Sequence, residues 1–147
     1  MKKNFLLVED DPNDAYLVEL EFKKNPEFQL RWVKNGEEAI DYINGSPPYN
    51  DRIEFPIPDV ILLDVKMPRV SGFDFLEWLH IKSNHFRLIP VIVMSGSDLE
   101  EDVNRAYELG ANCYLTKPTD WKKFQEQMTR IGIFWGEVAY TPKLPEH

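Results

Sequence analysis

Four short apolar runs constrain this chain more than any other feature: Phe5–Val8, Val60–Leu63, Ile89–Met94 and Cys113–Leu115. A fifth, weaker candidate is Phe28–Val33. Runs of this length with little polar alternation suit strands buried on both faces of a parallel sheet. The stretches between them have helical spacing. "DLEEDVNRAYELG" places Leu99, Val103, Ala106 and Leu109 on one face and stops at Gly110. "WKKFQEQMTRI" does the same with Trp121, Phe124, Met128 and Ile131. Capping signatures predict helix starts at Asp11 with Pro12 next, at Asn35 with Glu38, and at Ser97 with Glu100.

Strands alternating with helices of this length imply right-handed crossovers and a sheet covered on both sides. The fold predicted is a doubly wound, five-stranded parallel α/β sheet. At 147 residues the chain suits one domain. It divides into a main body over 1–131 and an aromatic extension over 132–147 that is too short to be a domain of its own. The proline-rich connection "NGSPPYNDRIEFPIP" ahead of the third strand is longer than such loops usually are.

Function in such sheets collects at the C-terminal ends of the strands, where the strand order reverses. With the order 2-1-3-4-5, strands one and three are neighbours there. The first strand runs into Glu9 and Asp10, the third into Asp64, the fourth into Ser95 and Gly96, and the fifth into Thr116, Lys117 and Pro118. Close carboxylates repel, and each tends to hold a proton unless a cation is present. Mg²⁺ suits a site of a few carboxylates with water and a phosphoryl group. With the charge screened, Asp64 stays ionised as a nucleophile toward phosphorus. Lys117 supplies a point charge for phosphoryl oxygens, and Ser95 a hydrogen bond. Taken singly, each of these residues reads as a cap, a turn or plain surface. The set, in order at four successive strand ends, favours a site. Asp11 is read as the cap of the first helix.

In these residues the chain resembles the receiver domain of two-component response regulators, over about Lys2 to Ile131. The resemblance rests on the acidic pair Glu9 and Asp10, on "DVKMPRVSG" with Asp64, Pro68 and Gly72, on Ser95, and on the "KP" pair at Lys117 and Pro118. It implies that Asp64 is the phosphoacceptor and that the backbone carbonyl of Lys66 completes the metal shell. It implies that the Lys117–Pro118 bond is cis, and that Ser95 and Tyr114 move together on phosphorylation. The side chains of Lys66 and Ser97 lie where the family tunes acyl-phosphate hydrolysis. A lysine at 66 offers the attacking water no orienter, so the phosphorylated state is expected to persist. The long connection and the tail "GIFWGEVAYTPKLPEH" resemble the small stand-alone regulators paired with cyanobacterial and bacterial phytochrome histidine kinases. That narrower likeness implies a kinase partner of this type. Phe134, Trp135 and Tyr140 then read either as a lid over their own domain or as a homodimer contact.

Other classes fit less well. A haloacid-dehalogenase-type phosphatase needs an Asp-x-Asp pair, and Lys66 stands at the second position. A degenerate receiver would lack site residues that are present here. No Gly-rich cradle suits a nucleotide enzyme, and acids stand where a flavin's phosphate loop would be. The protein is therefore read as a signalling module, not an enzyme. The formal net charge of −8 argues against general nucleic-acid binding. No apolar run approaches the roughly 18 residues of a membrane span. Acids rather than small residues follow the first apolar run, so no export signal is read there. The lone Cys113 fits a reducing cytoplasm. The histidines His80, His85 and His147 show no ligand spacing, and His80 and His85, on or after a helix, are expected to be solvated.

Overall fold

A computed structural model describes residues 2–67, 70–82 and 85–144; Pro68 of the "MP" motif and His147 lie outside the described residues. Five parallel strands form one sheet: β1 (Lys3–Val8), β2 (Phe28–Val33), β3 (Val60–Leu63), β4 (Val91–Ser95) and β5 (Cys113–Thr116). Their order is β2-β1-β3-β4-β5. The helices are α1 (Pro12–Phe22), α2 (Gly36–Asn44), α3 (Gly72–Glu77), α4 (Glu100–Glu108) and α5 (Trp121–Ile133). Short π-helical turns continue α3 over Trp78–Lys82 and α5 over Phe134–Val138.

The sheet separates two apolar layers because successive side chains of a strand point to opposite faces. On one side Leu6, Val8, Ile61, Leu63, Val91 and Val93 meet α2, α3 and α4. On the other, Phe5, Leu7, Val60, Leu62, Ile92 and Met94 meet α1 and α5. Burying one such side chain contributes about 1.5–3 kcal/mol, so the sheet is the rigid part of the molecule.

Local signals decide several boundaries. The Asp11 side chain accepts from Asn13 N–H at 2.8 Å, and the Asn35 side chain from Glu38 N–H at 2.8 Å, so both predicted caps are in place. Strand β4 begins at Val91 and not at Ile89. Pro90 has no N–H to give to the ladder, although its carbonyl accepts from Ile61 N–H. The predicted cap at Ser97 also gives way. The N-cap of α4 is Leu99, with no side-chain hydrogen bond, because the Ser97 hydroxyl is engaged by Asp102. Leu99 and Trp121 end up exposed, outside the apolar faces they were assigned to. The buried residue in the first turn of α4 is Asp102.

The long connection is held from within. Arg52 donates to the carbonyls of Tyr42 (2.8 Å) and Ile43 (2.6 Å) at the C-terminal end of α2. Tyr42, Tyr49 and Phe55 pack ring against ring. The tail folds back along the body. Trp135 packs on the α1–α5 layer, Lys3 Nζ donates to Thr141 Oγ1 at 3.0 Å, and Leu144 packs on the opposite layer. His80 is half-buried, with Nδ1 3.1 Å from the Leu76 carbonyl, and not solvated as expected. Burial lowers its pKa. No helix among the described residues is long and apolar enough to cross a membrane.

Candidate functional site

The register of the three central strands brings the acids together. Val8 pairs with Leu63 and Leu63 with Val93, so Glu9, Asp64 and the region of Ser95 emerge side by side at the C-terminal edge. One carboxylate oxygen from each of Glu9, Asp10 and Asp64 lies within 4.8 Å of the others. Glu9 is 1% exposed, Asp64 5% and Ser95 0%. Asp10 is exposed and gives the cluster its open side.

Lys117 reaches this cluster from the end of β5. Its ammonium contacts Glu9 Oε1 and donates to Asp14 Oδ2 at 3.0 Å and to Asp64 Oδ2 at 3.4 Å. Burial works against the charged ammonium. The hydrogen bond to Glu9 and the charges of Asp64 and Glu9 outweigh it and hold the pKa above the usual lysine range. Burial, reinforced by Asp64 facing it, pushes the Glu9 carboxyl up to about 8. Such an oxygen-rich, electrically crowded pocket fits a hard divalent cation.

Backbone groups fix the rest. Lys66 N–H donates to Asp64 Oδ1 at 3.0 Å, and Lys117 N–H donates to the Ser95 carbonyl at 2.7 Å. A Cβ at Gly72 would sit 2.3 Å from the Asp64 carbonyl oxygen and 2.4 Å from Val65 Cα, so only glycine lets α3 start this close to the acid. Tyr114, half-buried on β5, donates its hydroxyl to the Ser97 carbonyl at 2.8 Å. The Lys117–Pro118 bond is trans, against the expectation; the cis bond among the described residues is Pro47–Pro48. A prolyl amide's intrinsic bias is small, so surroundings rather than the dipeptide choose the isomer.

Three participants escaped the sequence reading. Asp14, in the first turn of α1, shares the Lys117 ammonium. Trp32 donates its indole N–H to the Glu9 carbonyl at 2.7 Å. Asp102 meets Lys66 Nζ at 3.1 Å, a pairing that only the folded chain creates.

Fold and site together define a class: a flavodoxin-like α/β protein with an acidic crevice at its strand tips that fits a divalent cation, the architecture of signalling receivers. Residues 5–129 match the response regulator receiver domain. The chain belongs to this family of signalling proteins, as the sequence had suggested. It is 34% identical to response regulator Rcp1 of Synechocystis sp. over 142 residues, which cover 95% of this chain and 93% of Rcp1. The Mn²⁺-bound form of Rcp1 superposes with a TM-score of 0.88 at 32% identity, over 96% of this chain and 99% of that one. The phosphorylated cyanobacterial phytochrome response regulator RcpA gives a TM-score of 0.91 at 29% identity, over 97% of this chain and 100% of that one.

Proposed function

We propose that this protein is a phosphoacceptor whose Asp64 takes a phosphoryl group from a phosphohistidine of a histidine kinase, with Mg²⁺ as cofactor. The observation that carries this is the meeting of Glu9, Asp10 and Asp64 within 4.8 Å, with the Lys117 ammonium on Asp64 Oδ2. Glu9, Asp10, Asp64 and the Lys66 carbonyl would hold the ion, which supplies positive charge against the carboxylates and the phosphoryl oxygens. An Asp64 carboxylate oxygen forms the new O–P bond as the P–N bond of the phosphohistidine breaks, and the imidazole leaves with the bonding pair. Lys117 neutralises phosphoryl oxygens, and Ser95 donates a hydrogen bond to one of them. The output is altered protein–protein binding through the Ser95–Tyr114 pair, not turnover of a metabolite.

The kinase is of the phytochrome type, the cell compartment is the cytoplasm, and nucleic acid and membrane are not partners. The likeness to Rcp1 and RcpA supports the first of these. The receiver body ends near Ile131, and the extension that follows serves as a homodimer contact. In support, Phe134 is 51% exposed and Tyr140 fully so, beside exposed Ile133 and Val138. Light scattering on Phe134→Glu tests the dimer without removing the Trp135 and Leu144 anchors; an unchanged mass refutes it. The central test is intact mass after incubation with Mg²⁺ and acetyl phosphate. Wild type gains one phosphoryl group and Asp64→Asn gains none. Equal labelling of both proteins sinks the assignment.

A further inference from the structure

One charged node ties together the two loops that border the acidic crevice. Asp102 lies in the first turn of α4 and is 9% exposed. Its Oδ2 accepts from Ser97 Oγ at 2.6 Å and stands 3.1 Å from Lys66 Nζ. Lys66 belongs to the loop after β3, where its own N–H holds Asp64 Oδ1. Ser97 belongs to the loop after β4. Its N–H donates to Ser95 Oγ at 3.1 Å, and its carbonyl accepts the Tyr114 hydroxyl at 2.8 Å. We propose that Asp102 is a positioning residue that clasps Lys66 to Ser97 and so holds Ser95 and Tyr114 in the arrangement of the unphosphorylated protein.

The chemistry of the clasp explains how it opens. This step rests on Asp64 being the phosphoacceptor. A phosphoryl group there carries about −1.5 to −2 charge, on a residue whose carboxylate already touches the Lys66 backbone. The Lys66 ammonium then has a stronger anion within reach of its flexible stem, and its pairing with Asp102 weakens. For Ser95 to approach the phosphoryl group it leaves the Ser97 N–H, and Ser97 is the residue that Asp102 restrains. Hydrogen bonds from Ser97 and Lys66 hold the Asp102 carboxyl below the usual range, so the clasp is charged at neutral pH. The plainer role for Asp102 is that of any acid in a first helical turn, favourable to the dipole of α4. Glu100 and Glu101 already fill that role. It also gives no reason for a hydroxyl and an ammonium from two different loops to converge on one oxygen.

The test uses the full chain labelled with 3-fluorotyrosine, with the Tyr114 ¹⁹F resonance identified by Tyr114→Phe. In unphosphorylated protein, Asp102→Asn and Lys66→Gln each move that resonance in the direction that acetyl phosphate moves it in wild type; Glu101→Gln leaves it in place. Phosphorylation by acetyl phosphate speeds up about twofold to fivefold in each single variant, the range of a partly exposed ion pair. The double variant is no faster than Asp102→Asn alone, because losing that carboxylate's charge already releases Lys66. A Tyr114 resonance unmoved in both variants, or rate effects that add, overturns the clasp. Lys66→Gln is the variant least exposed to a folding defect, since its side chain is 53% exposed. If wild type takes up no phosphoryl group, the phosphoacceptor reading fails. A Tyr114 resonance displaced from its wild-type position in both variants then still supports the clasp, and an unmoved one still refutes it.

Discussion

Binding of Mg²⁺ should release a proton, and the pH at which it stops doing so can be worked from the site. The ion requires ionised carboxylates, yet burial and the facing Asp64 push Glu9 up to about 8. With that value, about one-eleventh of Glu9 is ionised at pH 7 and about ten-elevenths at pH 9, so apparent affinity rises about tenfold between them. Binding at pH 7 then expels about 0.9 proton per ion, and at pH 9 only about 0.1. Calorimetric titration in two buffers of different ionisation enthalpy reads this number directly. The same group sets the stability of the metal-free protein. Its folded pKa lies above the unfolded value, so its contribution is full below 4.5 and is lost as pH rises through about 8. Added Mg²⁺ should restore stability most at the alkaline end. In Glu9→Gln the binding weakens and its pH dependence flattens. Equal affinity at pH 7 and pH 9 in wild type, with no buffer-dependent heat, would refute the idea that burial keeps Glu9 protonated until the ion arrives.

Three further outcomes follow from contacts around the site and the loop. Gly72→Ala drives a Cβ into the Asp64 carbonyl and should cost about 1–3 kcal/mol in urea unfolding, as overpacking does, with a parallel loss of Mg²⁺ affinity. Arg52→Ala removes the donors to Tyr42 and Ile43 and should lower unfolding free energy by about 2 kcal/mol, leaving Mg²⁺ titrations unchanged. His80 has its folded pKa lowered by burial, so the unfolded chain binds more protons and stability falls as pH drops below 6.5. His80→Gln should reduce the difference in unfolding free energy between pH 7.5 and 5.5.

What could be foreseen divides along a physical line. Glu9, Asp10, Asp64, Ser95 and Lys117 were legible because each follows an apolar run, and a parallel sheet carries all run ends to one edge. The caps at Asp11 and Asn35 were legible because a cap acts within three residues. Ser97 misled for the opposite reason: it has the right local pattern, but a carboxylate on the next helix claims its hydroxyl. Asp14, Trp32 and Asp102 were missed because their partners lie 103, 23 and 36 positions away, and no local period marks such pairs. The trans Lys117–Pro118 bond and the half-buried His80 depend on packing in the same way.

The reactive geometry is an extension of the hydrophobic core rather than something added to it. Val8, Leu63 and Met94 are fully buried, and the next residue in each case is Glu9, Asp64 or Ser95. The pairings Val8 with Val33, Val8 with Leu63 and Leu63 with Val93 therefore fix where the polar groups stand. A slip of β3 by one residue would turn its whole apolar set to the other layer. It would also carry Asp64 across the sheet, away from Glu9 and Lys117. Both layers are apolar, so the slip is penalised at the ends of the run, where Asp59 or Asp64 would be drawn into a buried ladder position. In the native register burial, with Asp64 facing it, raises the Glu9 pKa. The apolar runs are thus the elements that position the acidic cluster. A core substitution that loosens the β1–β3 register should weaken Mg²⁺ binding without touching a single site residue.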